Sequence, residues 1–205
     1  MDLTLLEREI RMQGYRRIAG VDEAGRGPLA GPVVAAACII PEGVSFSGID
    51  DSKKLSPAKR ASLFAQIVSH SEVDYGIGIV DSDCIDKINI LQATFRAMLF
   101  AIGRLSSPPD FLLVDGPYLP SIAIPGKGII RGDSLSQSIA AASILAKCVR
   151  DQIMDQVDAE WPLYGFKKHK GYGTRSHLEA IAKLGPCPIH RKSFAPMKPK
   201  GEPIP

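Results

Sequence analysis

The chain has one tryptophan, four cysteines and four histidines among 205 residues, and no apolar run long enough to span a membrane. Cys38, Cys84, Cys148 and Cys187 lie far apart without C-x-x-C spacing, and Cys38 and Cys148 sit in apolar stretches. A disulfide scaffold and a zinc ribbon are thereby excluded, and the cysteines read as reduced core residues of a reducing compartment. His70 and His177 show no ligand spacing, whereas His169 stands among Lys167, Lys168 and Lys170, where a phosphate could be met. No G-x-G-x-x-G is present, which removes a dinucleotide fingerprint, and no Ser/His/Asp or Cys/His constellation stands out. The amino-terminal MDLTLLEREIRMQGYRR carries charges in every short window and lacks the apolar stretch of a secretion signal. The expectation is a soluble, cytoplasmic protein with no membrane partner.

With 45% hydrophobic residues the chain can bury a full core. A single domain over 1–205 is expected, with 161–205 as a basic, helical carboxyl-terminal extension and tail. That segment holds nine Lys or Arg against Glu179 and Glu202, so the net +3 of the whole leaves the first 160 residues at minus four. A basic end beside an acidic body suits phosphate at one part and cations at the other, although a solubilising tail is the ordinary alternative.

Apolar segments at Ile18 to Val21 and Val33 to Ile40, joined by a Gly/Pro-rich loop, read as paired strands, and Tyr75 to Val80 as a third. Phe111 to Val114, ending at Asp115 and Gly116, reads as a buried strand, and Ile129 with Ile130 marks a short one. Helices are expected at Pro57 to Val68 with Ser56 as N-cap, at Ile88 to Leu105, and at Ser176 to Leu184. In the longest helix, Leu135, Ile139, Ala142, Leu145, Val149, Ile153 and Val157 form one apolar face, and Ser143, Lys147 and Asp151 the other. The last twenty residues hold six prolines and are expected to wrap the surface or stay partly disordered. Strands first and helices later give a mixed α/β domain.

Asp22 and Glu23 follow an apolar strand and precede Gly25-Arg26-Gly27, and Asp115 ends another strand. Neighbours in a regular strand face opposite sides, so Asp22 and Glu23 share a site only if the strand ends or bulges there. Asp133 lies at the start of the long helix; Ser134 and Gln137 fit a capping box that leaves Asp133 to point elsewhere, with a cap role for Asp133 as the alternative. Carboxylates at strand ends are hard oxygen donors suited to Mg²⁺ or Mn²⁺. Four on three segments could hold two such ions about 4 Å apart for phosphodiester hydrolysis. For any single Asp, a turn cap is the commoner role. The two glycines could let backbone groups approach a ligand, or form a tight turn only.

The segment Gly20-Val21-Asp22-Glu23-Ala24-Gly25-Arg26-Gly27-Pro28-Leu29-Ala30-Gly31-Pro32-Val33 resembles the signature of bacterial ribonuclease HII. In the same family order follow Asp51-Ser52-Lys53-Lys54-Leu55-Ser56, Leu113-Val114-Asp115-Gly116, Gly132-Asp133, Ile139 to Lys147, Lys170-Gly171-Tyr172-Gly173-Thr174 and His190-Arg191-Lys192-Ser193-Phe194. The resemblance implies a ribonuclease H-like α/β fold, a five-stranded mixed sheet flanked by helices with a carboxyl-terminal helical extension. It implies Asp22, Glu23, Asp115 and Asp133 as catalytic and metal-binding residues, with two Mg²⁺ or Mn²⁺ ions during catalysis. It further implies that Gly25, Arg26 and Gly27 sense the ribose 2′-hydroxyl and that Tyr172 packs on the next deoxyribose. Lys53 and Lys54 would contact backbone phosphate, as would Ser143 with Lys147, one helical turn apart.

The implied activity is hydrolysis of RNA in RNA/DNA hybrids and cutting 5′ of single ribonucleotides in duplex DNA, leaving 3′-hydroxyl and 5′-phosphate ends, by a monomer serving ribonucleotide removal and primer clearance. Ribonuclease HIII is the near rival, but it usually bears an extra amino-terminal domain, and only about seventeen residues precede the first strand here. A non-catalytic hybrid-binding protein is the distant rival.

Overall fold

A computed structural model describes residues 2–49, 52 and 55–197. In chain order the elements are helix α1 (Leu5–Met12), strands β1 (Ile18–Ala24) and β2 (Val33–Ile39), helix α2 (Pro57–Ser69), β3 (Asp74–Val80), α3 (Ser82–Ile102), β4 (Phe111–Asp115) and β5 (Gly126–Ile129). A 3₁₀ turn at Gly132–Ser134 leads into α4 (Gln137–Glu160), and a second at Pro162–Tyr164 leads into α5 (Phe166–His169) and α6 (Arg175–Leu184). The five strands form one mixed sheet in the order β3-β2-β1-β4-β5. β1 is antiparallel to β2 and parallel to β4, so the carboxyl ends of β1 and β4 open on the same edge. This is the five-stranded mixed sheet flanked by helices that the sequence leads one to expect.

Small residues decide how closely the layers pack. On one face Gly76 and Gly78 of β3 lie against α3, where a Cβ on Gly78 would fall 2.8 Å from the Ala101 nitrogen. On the other, Ala36 of β2 and Ala140, Ala141 and Ala142 of α4 share a core with Leu63 and Ile67 of α2. Gly20 of β1 touches the backbone of Ser138 and Ile139 at the start of α4. A helix this close is buried all round in its first half, from Gln137 to Ala146. The apolar and polar faces expected for α4 are therefore distinct only in its second half, and Ser143 is 3% exposed rather than on a solvated face.

Several boundaries differ from the expected ones, each for a tertiary or local reason. α3 starts six residues early: Asp81 caps it by accepting from the Cys84 N–H, and Asn89, at φ 64°, breaks the helix and recaps it by accepting from the Leu91 and Gln92 N–H groups. Strand β5 begins at Gly126, because glycines 126 and 128 allow the chain to lie against Leu112 and Pro117 where a side chain would not fit. The long helix is capped by Ser136, which accepts from the Ile139 N–H, and Ser134 belongs to the preceding 3₁₀ turn. The Glu that a capping box would place in the helix comes instead from α1: Glu7 Oε1 accepts from Ser136 Oγ at 2.6 Å and from the Ser138 N–H at 2.9 Å.

The carboxyl-terminal elements pack around Phe166, Tyr164, Met154 and Cys187 at the far end of α4. From Pro186 to Met197 the chain returns to the main sheet. It bridges to Ala30 at His190, and the N–H groups of Lys192 and Ser193 donate to Asp86 of α3. Of the two arrangements expected for the proline-rich end, the segment up to residue 197 takes the first and wraps the surface as a strap.

Candidate active site

Val21 pairs with Val114, so the next residues, Asp22 and Asp115, emerge side by side where β4 ends. No bulge brings Glu23 there. The pairing with β2 runs unbroken through Asp22, Glu23 and Ala24, and only the β4 side lets go, at Val21. Alternation then turns Gly20 and Asp22 toward α4 and Glu23 toward the other face at an edge that β4 has left open. Gly25, at φ 96°, ends the strand immediately beyond.

Each carboxylate is held by a different part of the fold. Asp22 is 4% exposed, accepts from the Glu23 N–H at 2.7 Å and from the Ser143 hydroxyl. Ser143 is in turn 2.8 Å from the buried Ser52 hydroxyl, which must then be the donor of that pair. Asp115 Oδ1 accepts from the Gly132 N–H at 2.7 Å, which fixes it to the 3₁₀ turn that carries Asp133, itself 5% exposed. Because Ser136 caps α4, Asp133 does not. Glu23 Oε1 pairs with Arg26 at 3.3 Å.

Burial first, and then the negative charges of Glu23 and Asp115, push the Asp22 carboxyl well above the usual carboxylate range, against the hydrogen bonds from Ser143 and the Glu23 N–H. Three carboxyls that repel one another at a buried strand edge are a donor set a divalent cation would relieve, and their oxygens suit Mg²⁺ or Mn²⁺. Among the described residues no three acidic, histidine or cysteine side chains already stand so as to hold an ion. Asp22 and Asp115 accept hydrogen bonds from their protein partners, which fix both carboxylates at this edge.

The Gly25–Gly27 turn lies beside this edge and against Tyr172. A Cβ on Gly27 would be 3.8 Å from the Tyr172 ring, which is 45% exposed. Arg26 and Gly27 are exposed too. Lys147 donates to Asp151 at 2.7 Å and keeps 23% of its side chain exposed, whereas Ser143 is spent on Asp22 and Ser52. Lys53 and Lys54 lie outside the described residues. His169 does not face a ligand: its Nε2 binds the Tyr164 carbonyl at 2.9 Å and its Nδ1 accepts from the Gly171 N–H at 3.3 Å.

Residues 19–197 match the family described as Ribonuclease HII. The chain belongs to the ribonuclease HII family. A ribonuclease HII of Chlamydia trachomatis serovar A is 57% identical over 195 residues, 95% of this chain and 89% of that protein. Another, of Geobacter metallireducens, is 56% identical over 196 residues, 96% and 92% of the two chains. Among solved structures, the ribonuclease H2 from Pyrococcus horikoshii OT3 is 26% identical with a TM-score of 0.71, covering 88% of this chain and 95% of that one. A Bst-RNase HIII in complex with Mn²⁺ shares the fold, with a TM-score of 0.66 over 96% of this chain and 72% of that one, at 16% identity. The protein is a ribonuclease H endonuclease, and both the ribonuclease HIII and the purely binding alternatives give way to ribonuclease HII membership.

Two residues of this site carry no signal that composition or periodicity could raise. Arg150 and Arg191 are 1% and 0% exposed and lie under the Gly25–Gly27 turn. Five of the six carbonyls they bind lie more than a hundred residues away in the chain, so the fold brings the roles of these two arginines into view.

Proposed function

We propose that the protein hydrolyses RNA in RNA/DNA hybrids and cuts 5′ of single ribonucleotides in duplex DNA, leaving 3′-hydroxyl and 5′-phosphate ends. What carries this reading is one juxtaposition: Asp22, Glu23 and Asp115 at the ends of two parallel strands, with the Gly25–Gly27 turn and the Tyr172 ring beside them. Asp22, Glu23, Asp115 and Asp133 would hold two Mg²⁺ or Mn²⁺ ions. Such ions supply charge neutralisation at the phosphate and lower the pKa of attacking water.

The chain's own groups do the positioning. Ser143 and Ser52 orient Asp22, the Gly132 N–H orients Asp115, and Arg26 balances Glu23 until substrate arrives. Backbone groups of Gly25, Arg26 and Gly27 meet the ribose 2′-hydroxyl, the one group that separates RNA from DNA at that position. The exposed Tyr172 ring covers the following deoxyribose, where a 2′-hydroxyl would be left unpartnered against an apolar face. Lys147, Lys53 and Lys54 neutralise backbone phosphates, and the basic segment 161–205 adds long-range attraction. The enzyme acts as a monomer in the cytoplasm, in ribonucleotide removal and primer clearance.

The test is product mapping on a DNA duplex carrying one ribonucleotide, with Mg²⁺ or Mn²⁺. A single nick 5′ of the ribonucleotide is expected, and Asp115→Asn should lower its rate at least about a thousandfold, the scale of losing one member of a charge-stabilising set. Equal cutting of an all-DNA duplex would sink the sugar specificity, and full activity of Asp115→Asn would remove the carboxylate from the chemistry.

A further inference from the structure

Two guanidiniums lie buried where the ribose-sensing turn meets the carboxyl-terminal segments, and among the described residues neither makes a salt bridge. Arg191 donates to the carbonyls of Gly25 (2.6 Å), Arg26 (2.8 Å) and Gly31 (2.9 and 3.0 Å). Arg150, from α4, donates to the carbonyls of Pro32 (3.0 Å), Ala30 (3.1 Å) and Lys170 (3.0 Å). Every strong contact is to a main-chain oxygen, six carbonyls in all, drawn from residues 25–32 and from the turn that leads into Tyr172. The Arg150 guanidinium also lies 6.0 Å from the Tyr172 ring centre.

A buried charge needs compensation, and here six carbonyl dipoles supply the direct contacts, with favourable charge from Asp86 for Arg191 and from Asp151 for Arg150. Burial disfavours the charged form of Arg191, and the like charge of Arg150 adds to that. So costly an arrangement is not explained by filling space, which an apolar side chain would do better. The glycines bear the same mark. A Cβ on Gly25 would overlap the Arg150 side chain and stand 2.7 Å from the Pro32 carbonyl, and one on Gly171 would stand 2.5 Å from the Ala30 carbonyl. Both positions are kept bare so that the arginines and the two turns can interlock.

We propose that Arg191 and Arg150 are positioning residues that lock the Gly25–Gly27 turn in register with Tyr172, so that the ribose and the following deoxyribose are read as one junction. This rests on the substrate reading above and adds what holds its two sensors together. With their carbonyls drawn inward to Arg191, Gly25 and Arg26 keep a single backbone orientation toward the substrate. Arg150 then ties that loop to Lys170, two residues before the ring. A hybrid offers a ribose at every step, so a loosened pair can still find a productive register; a single ribonucleotide offers one. Loss of the lock must therefore weigh more on the single-ribonucleotide duplex.

The experiment compares the unmodified chain with Arg191→Lys, Arg150→Lys and the control Tyr164→Phe. The control removes a 2.7 Å bond to the Gly185 carbonyl in the same lobe without touching either turn. With Mg²⁺, kcat and KM are measured on a single-ribonucleotide duplex and on an RNA/DNA hybrid, beside a melting curve for each protein. Each Lys variant should lose about a hundredfold in kcat/KM on the single-ribonucleotide duplex, the scale of a 1 Å misplacement. The ratio of that value to the hybrid's should fall about tenfold, which a merely structural role would not produce. Tyr164→Phe should melt lower with the ratio unchanged. A ratio preserved in a folded Lys variant, or lowered equally by Tyr164→Phe, overturns the proposal. Should one Lys variant not fold, the ratio measured on the other decides in the same way. An unmodified chain that cuts hybrids but never the single-ribonucleotide duplex overturns the substrate reading itself, and this inference with it.

Discussion

Replacing Gly20 by alanine tests how the sheet and the active site are joined. A Cβ at Gly20 would lie 2.5 Å from the Ser138 carbonyl oxygen and closer still to the Ser138 carbonyl carbon and the Ile139 nitrogen. These are backbone atoms at the capped start of α4, so no side-chain rotation relieves the overlap. Restoring ordinary contact of 3.4 Å from the nearest of these atoms, at 2.1 Å, means moving the first turn of α4 off β1 by about 1.3 Å. That turn is fastened by Glu7 and Ser136, and five residues on it carries Ser143, which donates to Asp22. Overpacking of this kind costs about 1–3 kcal/mol, which for a chain of this length lowers Tm by roughly 2–12 °C. Activity should suffer more than stability, since a displacement near 1 Å costs about a hundredfold in rate. The assay is a thermal melt beside single-turnover cleavage of an RNA/DNA hybrid. Gly14→Ala is the reference, because nothing lies within 4 Å of its Cβ and only its φ of 101° is strained. If Gly20→Ala cuts at the unmodified rate, the seating of α4 on β1 does not set the geometry of Asp22.

Glu7→Ala leaves the Ser138 N–H and the Ser136 hydroxyl at the buried head of α4 without their acceptor; a loss of about 2 kcal/mol is expected, seen as a Tm lowered by roughly 4–8 °C, and an unchanged melt would refute it. Acid should loosen the carboxyl-terminal lobe. The Cys187 N–H donates to His190, and the His190 and His177 ring nitrogens share a 3.0 Å bond. His177 Nδ1 then donates to the Tyr172 carbonyl at 2.9 Å, a relay that requires both rings neutral. Burial pushes His177 from 6.5 down to about 4 and lowers His190 also. With folded values below unfolded ones, the unfolded chain binds the extra protons between pH 6.5 and 4. Stability is thus complete above 6.5 and falls as pH drops through that window, by an amount on the order of 3 kcal/mol for His177. Equilibrium unfolding against pH should show that slope, and His177→Gln should flatten it; a slope of the same size in the variant would refute the assignment.

How much of this could be read without coordinates depended on the range of the forces involved. Local signals held: the Ser56 cap and Pro57 start of α2, the apolar run of β4 ending at Asp115, and the glycine turn after Glu23 each follow from neighbours in sequence. Where a distant group supplies the decisive atom, the local signal misled. Ser134 and Gln137 look like a capping box, but Glu7, 129 residues before Ser136, supplies the carboxylate, and the helix begins two residues later than the box implies. Ser143 looked like the polar face of an amphipathic helix, yet sheet and helices enclose that half of α4 completely. That Asp22, Glu23 and Asp115 stand toward the ends of apolar strands was legible because such strand ends advertise themselves. The means of holding them in place, Ser52, Ser143 and Gly132, was not.

Two separate supports converge on one edge of the sheet. α4 and the 3₁₀ turn fix Asp22 and Asp115 from one side, through Ser143 and the Gly132 N–H. The strap and the carboxyl-terminal lobe, joined by Arg150 of α4, fix the Gly25–Gly27 turn and Tyr172 from the other, through Arg191 and the histidine relay. Arg150 sits on α4 seven residues, or two helical turns, beyond Ser143, so a single helix sets the spacing between Asp22 and the Gly25–Gly27 turn. On the function proposed above, a ruler of that kind would place the cut at a fixed step from the ribose, at a spacing that neither loop can alter alone.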